Sequence, residues 1–339
     1  MMGKAMTRMG RQRPTLIDPF QRRIDYVRVS LTDKCNMRCF YCMPKGFKDF
    51  EVPENWLTFN EIERVIAAFV DLGVSRIRLT GGEPLVRKNI SHLVEKLANL
   101  DGLDDLSMST NAALLTQHAA SLSQLGISRI NVSLDSLRED RFAEITGNGK
   151  LKNVLAGLKA AKTAGLSPVK INMVAMKGIN DDEYIDMVEY CIKMGFTLRF
   201  IEVMPVGGTG RDAGSHYHDL GEVRQQLAQR YDLLPSVMSG GGPARYYKIK
   251  DSDLNIGFIT PISQHFCETC NRVRLSVDGT LHLCLGQEHS LALRPLLRAG
   301  ISDHDLKAKI IEAIALKPER HEFNEKPEQV IRIMSMTGG

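Results

Sequence analysis

Two hydrophobic periods alternate along the first two-thirds of this chain. Residues 26–31 (YVRVSL), 76–80 (RIRLT), 106–109, 129–134 (RINVSL), 169–175 and 198–203 read as strands. Between them, residues 59–72, 90–100, 115–125, 151–164 and 183–194 repeat at helical spacing, and in the first of these Ile62, Val65, Ile66 and Phe69 share one face. Gly73, Gly126, Gly165 and Gly195 each follow a helical segment, as C-terminal caps do. The rhythm is a βα repeat, which predicts a parallel sheet with right-handed crossovers. Six units fit an α/β fold of the open, partial (β/α)6 barrel type better than a closed eight-unit one. In either form the site lies at the C-terminal strand ends and the loops that follow them.

The rhythm breaks after Val206. Residues 207–214 and 239–243 are glycine-rich and read as loops, with a helix over 220–230 between them. The remainder reads as short strands, then helices over 291–297 and 305–316, then a tail. The predicted division is a flexible tail at 1–17, a core at 18–239 and a C-terminal region at 240–339.

Composition narrows the class. At 339 residues, with 43% apolar and 25% charged residues, the chain has enough material for a large buried core. A net charge of +4 suggests neither nucleic acid nor a membrane as partner. No apolar run is long enough to cross a bilayer. Lys4, Arg8, Arg11 and Arg13 have no apolar segment after them, so the N-terminus does not read as a secretory signal. A cytoplasmic enzyme with reduced thiols fits, and there clustered cysteines more often bind metal or act in catalysis than pair as disulfides.

Six of the seven cysteines fall into two triads. Cys35, Cys39 and Cys42 follow the first strand as Cys-x-x-x-Cys-x-x-Cys. Three thiolates are one short of the four that enclose an iron–sulfur cluster or a structural zinc, so one coordination position stays open for a ligand. A zinc site completed from elsewhere in the chain is the alternative. Cys267, Cys270 and Cys284 form the second triad. Asp278-Gly279 predicts a two-residue type I′ hairpin that sets Val277 opposite Thr280 and Val273 opposite Cys284, returning Cys284 toward Cys270. A one-residue slip would turn Cys284 to the other face. A zinc ribbon that adds His265 or His282 remains open here. Cys191, within a helix, reads as a buried small hydrophobe.

The first triad after a βα-type strand resembles the signature of the radical S-adenosylmethionine enzymes. The whole chain from about Asp18 resembles the branch of that family that cyclises GTP in the first step of molybdenum cofactor biosynthesis. The resemblance rests on IDYVRVSLTDKCNMRCFYCMP, RIRLTGGEPLVR, Ser109–Asn111, INVSLDSL, VKINMVAMKGIN, RFIEVMPVG, FCETCNRVRLSVDG and the terminal Gly338-Gly339.

The resemblance implies two [4Fe–4S] clusters, on Cys35, Cys39 and Cys42 and on Cys267, Cys270 and Cys284. It implies S-adenosylmethionine contacts at Tyr41, Gly82 (with Gly81), Ser133 and Met204. GTP contacts are implied at Arg28, Arg78, Ser109, Lys170, Arg272, Val273 and Arg274. Planar guanidinium groups suit a polyanionic triphosphate. Ser109 stands where the family usually has Thr, and Ala112 where Gly is expected. Arg272, Arg274 and the tail glycines Gly338 and Gly339 carry the implied catalytic roles. An external one-electron reductant, a downstream cyclic pyranopterin monophosphate synthase and a monomeric or homodimeric state complete the expectation. Two alternatives are a peptide-modifying radical enzyme and a zinc-dependent nucleic-acid-binding module. The absence of a basic run speaks against the second.

Overall fold

The six expected units are present in a computed structural model that describes residues 14–338. Their strands are β1 (Tyr26–Ser30), β2 (Arg76–Thr80), β3 (Asp105–Thr110), β4 (Arg129–Ser133), β5 (Val169–Val174) and β6 (Thr197–Ile201). The C-terminal third adds β7 (Leu233–Ser236), β8 (Arg245–Ile249), β9 (Asn255–Ile259), β10 (Arg272–Leu275), β11 (Thr280–His282) and β12 (Ser290–Ala292). All twelve form one sheet in the order β12-β11-β10-β1-β2-β3-β4-β5-β6-β9-β8-β7. β1 to β6 pair in parallel, β9 joins β6 in parallel, and β10 joins β1 in parallel. The C-terminal region thus extends both edges of the partial barrel. β9 and β10 are not neighbours in the sheet, so the barrel stays open between them. The connection from β9 to β10 carries Cys267 and Cys270.

The strand pattern explains what the barrel contains. Val27, Val29, Ile77, Leu79, Ile130, Val132, Ile171 and Phe200 face the outer helices and are fully buried. Each such side chain contributes about 2 kcal/mol through burial. The intervening positions are polar: Tyr26, Arg28, Arg78, Ser107, Asn131, Lys170 and Arg199. Parallel strands buried on both faces are usually apolar throughout. Alternation here marks a lumen built for a polar ligand. The helix at Phe59–Asp71 begins with a Thr58–Glu61 capping box, and Gly195 closes the helix Tyr184–Met194 at φ +71°.

Four local expectations change. Of the stretch read as a tail, residues 1–13 lie outside the described residues, while Leu16 is buried and Ile17 bridges Arg23. Residues 207–212 form a helix (Gly207–Asp212) rather than a loop, because glycine there permits close packing: a Cβ on Gly210 would lie 2.4 Å from the Met204 carbonyl. Residues 290–292 are strand β12, and the helix starts only at Arg294, with Pro295 in its first turn.

The hairpin register also differs by one residue. Gly279 N–H donates to Ser276 O (3.0 Å) and Gly279 has φ +83°, which makes a three-residue loop rather than a type I′ turn. Arg274 therefore pairs with His282 and Leu275 with Leu281. This register sets Cys284 on the lumen side with Arg272 and Arg274.

Candidate active site

The first triad is held by two loops fastened to each other. Gly82 N–H donates to Thr32 O (2.6 Å) and Glu83 N–H to Lys34 O (2.9 Å). A Cβ would stand 2.5 Å from Thr32 O at Gly81 and 2.4 Å from Lys34 O at Gly82. These glycines let the two backbones meet, a different reason from the ligand approach that sequence suggested. Beyond them Glu83 is fully buried and accepts from Thr110 Oγ1 (2.7 Å), Asn111 N (2.6 Å) and Leu85 N (3.1 Å). It ties the end of β2 to the end of β3. The far side of the cysteine loop is fixed by Arg38 N–H to Thr146 O (2.8 Å) and Phe40 N–H to Ile145 O (3.1 Å).

Within this frame Cys42 N–H closes a turn on Cys39 O (2.9 Å), and Cys35 Sγ accepts from Met37 N (3.4 Å) and Asn111 Nδ2 (3.7 Å). Burial pushes the Cys35 thiol up to about 11 and Cys42 to about 12, and lifts Cys39 well above the usual range. A metal or cluster taken up here must displace these protons. Tyr41 donates to Asp135 Oδ2 (2.7 Å), and Asp135 also accepts from Val174 N (2.8 Å). Burial raises Asp135 to about 6 and Glu83 to about 7. Ser133 is exposed at the end of β4 and lines the same cavity as Tyr41, Gly82 and Met204. Asp135 and Glu83 both stand just past strand ends, beside the first triad.

Cations fill the other side. Arg28, Arg78, Arg199, Arg272 and Arg274 line the cavity with Tyr26. Arg78 and Arg272 lie over the Tyr26 ring, at 5.4 and 5.6 Å from its centroid. Burial, with mutual repulsion behind it, lowers Arg28 strongly and Arg274 to about 10. By contrast, Arg76 pairs with Asp25 (2.6 Å) and Arg129 with Asp105. Among the described residues, Arg78, Arg199, Arg272 and Arg274 form no ion pair with a carboxylate. Clustered buried cations of this kind call for an anionic ligand. Arg199 was missed by sequence reasoning, although its place in the β6 alternation was the available signal. Ser109 lines the cavity and accepts from Asn131 Nδ2 (3.4 Å). Val273 faces the helices, so only its backbone meets the cavity. Lys170 does not line the cavity: its ammonium turns to Tyr246, 3.3 Å from the hydroxyl, and burial brings it down to about 7. Ala112 adopts φ +62°, the left-handed conformation that glycine would occupy without strain.

The second triad joins the same cavity. Arg22 donates to Cys267 O (2.8 Å) and Pro318 O (2.7 Å) and pairs with buried Asp18. Buried Lys317 donates to Leu283 O. Burial alone would raise the Cys270 thiol, but Lys317 and Arg272 outweigh it and bring it below the usual value. Arg22 and Lys317 come from opposite ends of the chain, and no sequence signal joins them to these cysteines. Tyr26 Oη, Arg272 Nε, His282 Nδ1 and His321 Nε2 are buried around this half without a protein partner. A polar ligand fits such a set.

The C-terminus enters as well. Arg274 donates to Gly338 O and to Thr337 O (3.3 Å), and Gly338 (φ +75°) packs against Thr80 so closely that no Cβ fits. Gly339 lies outside the described residues. Both triads, the cations and the approach of the tail therefore share one cavity. Among the described residues, no three His, Cys, Asp or Glu side chains converge closely enough to hold a single metal ion. Thiolates on one tetrahedral zinc share a centre about 2.3 Å from each sulfur, whereas a cubane spreads them over different irons.

Comparison with known proteins agrees with this geometry. Residues 29–191 match the radical SAM superfamily and residues 196–323 the family described as Molybdenum Cofactor Synthesis C. The chain is 48% identical to GTP 3′,8-cyclase of Hydrogenovibrio crunogenus, over 96% of this chain and 99% of that one. It is 49% identical to GTP 3′,8-cyclase 1 of Pseudomonas aeruginosa, over 95% and 99%. In fold it resembles Streptococcus suis SuiB bound to S-adenosylmethionine, with a TM-score of 0.58 at 16% identity, covering 86% of this chain and 68% of that one. Near-full-length identity of this order, with both family matches in sequence order, means that the chain belongs to the GTP 3′,8-cyclase family of radical S-adenosylmethionine enzymes.

Proposed function

We propose that this chain converts GTP to (8S)-3′,8-cyclo-7,8-dihydroguanosine 5′-triphosphate, the first step of molybdenum cofactor biosynthesis, with the two ends of its cavity divided between cofactor and substrate. The observation that carries the reading is the single cavity lined by both cysteine triads and five guanidinium groups. Cys35, Cys39 and Cys42 would hold a [4Fe–4S] cluster that, given one electron from the external reductant, would cleave S-adenosylmethionine to a 5′-deoxyadenosyl radical able to take the ribose 3′ hydrogen; closure of the C3′–C8 bond would then need one further electron and a proton to give the product. Tyr41, Gly82, Ser133 and Met204 orient S-adenosylmethionine. The Asp135 carboxylate on the cavity wall suits its positive charge.

GTP lies against Arg28, Arg78, Ser109, Arg272, Arg274 and the Val273 backbone, with Arg199 added from its place on the wall. Lys170 stands behind the wall against Tyr246 rather than against GTP. Cys267, Cys270 and Cys284 would hold a second [4Fe–4S] cluster, and its three thiolate ligands would leave one iron available to the base. Arg272 and Arg274 keep base and ribose oriented, and the Gly338-Gly339 tail narrows the cavity around them.

Among the described residues no helix is long and apolar enough to cross a membrane. An external one-electron reductant and a downstream synthase that consumes the cyclised nucleotide belong to the same reading. The test is anaerobic incubation with GTP, S-adenosylmethionine and a reductant. A cyclised nucleotide alongside 5′-deoxyadenosine is the expected result. Deoxyadenosine with GTP left unchanged would leave the first triad's role standing and overturn the substrate.

A further inference from the structure

The segment from Arg332 to Gly338 touches both halves of the site. Arg332 is buried, and its Nη2 donates to the carbonyls of Cys284 (2.9 Å), Leu285 (2.8 Å) and Gln287 (2.7 Å). Its Nη1 lies 2.5 Å from the Glu288 carboxylate. The loop that carries Cys284 is thus wrapped around one guanidinium group. Six residues later the carbonyl of Gly338 accepts from Arg274, on β10 beside that loop. Between these points Ser335 and Thr337 are buried, and Ser335 N–H is directed at Cys42 of the first triad.

The rest of this stretch is held mainly by packing: Ile333 lies against Gly207, and Met334 against the cluster of Val206, Phe323 and Val330. The helix Met334–Thr337 has only four residues, too few to be stable alone. Upstream, Gly207 N–H and Arg211 hold Val330 O (3.2 and 3.0 Å), which fixes the chain before Arg332. Ile331, next to Arg332, is 77% exposed and adds no packing. Arg332 is therefore the hydrogen-bonded tie between this packed segment and the loop that carries Cys284.

We propose that Arg332 is a positioning residue that keys the seat of the C-terminal tail on Arg274 to the fold of the loop carrying Cys284. The tail occupies the cavity when that loop is closed around the guanidinium and leaves it when the loop opens. The link from this loop to a second cluster rests on the reading of Cys267, Cys270 and Cys284 given above; the link from Arg332 to the tail does not. A planar group is needed to serve several carbonyls at once, so lysine is a partial substitute and methionine none.

The test is hydrogen exchange on the anaerobically purified holoprotein, with iron content measured alongside. In Arg332→Met, amides of Ser335–Gly338 are expected to exchange at least about tenfold faster, since several hydrogen bonds to a charged group are lost, while the barrel strands stay protected. Arg332→Lys should recover part of that protection. With GTP present, Arg332→Met should still form 5′-deoxyadenosine while the cyclised product falls by a similar factor. Cys284→Ser should free the tail although Arg332 is intact.

Tail exchange as slow in Arg332→Met as in the native protein overturns the proposal. So does faster exchange spread over the barrel strands, which makes Arg332 a residue of general stability. A tail that stays protected in Cys284→Ser overturns the coupling to that loop. A native iron content of about four atoms, rather than about eight, removes the second cluster and leaves the exchange result on Arg332 to stand or fall by itself.

Discussion

The two cysteine triads are built at different distances along the chain and in opposite electrostatic settings. The first comes from one loop, fastened by backbone bonds to the neighbouring strand ends and flanked by buried Glu83 and Asp135. The second draws on two segments and is clamped by Arg22, Lys317 and Arg332 from the two ends of the chain. Burial raises all three thiols of the first and Cys267 and Cys284 of the second, and Cys270 alone is brought below its usual value by surrounding cations. The Asp135 carboxylate on the cavity wall suits a sulfonium cation, and the guanidinium groups suit a triphosphate. The division of the cavity follows from charge as well as from sulfur.

The largest expected effect separates the two triads by function. Cys39→Ser should abolish both 5′-deoxyadenosine formation and GTP cyclisation. Cys270→Ser should abolish cyclisation alone, and each variant should hold about four iron atoms instead of about eight. Measuring both products with iron content checks this. Loss of deoxyadenosine formation in Cys270→Ser would show that the triads do not work independently.

The clamps offer the next contrast. Arg22→Ala leaves Asp18 buried without its partner, a change that costs about 3–5 kcal/mol where a buried pair is broken. Because Arg22 also holds Cys267 O, the loss should fall on the second triad: less iron and less cyclisation, with deoxyadenosine formation per first cluster retained. Equal loss at both triads would mean that Arg22 supports the barrel as a whole.

These contrasts also explain what the sequence made legible. The first triad is local, so its spacing and its place after β1 carried nearly everything. The outward-facing Val27, Ile77 and Ile130 gave the parallel strands their period, and the lumen arginines gave the other half of the alternation. The hairpin failed by one residue because Asp-Gly serves two turn types, and only the hydrogen bond to Ser276 O distinguishes them. Arg22, Lys317 and Arg332 were illegible because a clamp on a distant carbonyl has no periodicity. The helix at Gly207–Asp212 was hidden because glycine signals flexibility in sequence and close packing in the fold.

The carboxylate side of the comparison has a pH signature. Glu83 is raised by burial from 4.5 to about 7, so the folded chain keeps a proton that the unfolded chain releases above 4.5. Folded protein then binds more protons than unfolded between these values, and stability falls as pH rises through that window, by about 3 kcal/mol for one such group. Glu83→Gln carries no titrating carboxyl and should show a flatter curve from pH 4.5 to 7 in thermal unfolding. Parallel curves for the two proteins would place the pH dependence elsewhere.

The smallest effect tests the frame around the first triad. Ala112 is fully buried at φ +62°, a conformation that costs an alanine about 1–2 kcal/mol. It persists because Ala112 N–H bonds Thr110 Oγ1 (3.0 Å), and Thr110 in turn donates to Glu83. Ala112→Gly removes the strain but also frees the unfolded chain, which takes back about 0.5–1 kcal/mol. The net expectation is a gain of up to about 1 kcal/mol, with cofactor cleavage unchanged because the Glu83 hydrogen bonds remain. The same substitution should leave iron at the second triad untouched. A destabilised Ala112→Gly would mean that the methyl group's packing outweighs the strain, and that this turn is held by contact rather than by the hydrogen-bond chain from Glu83.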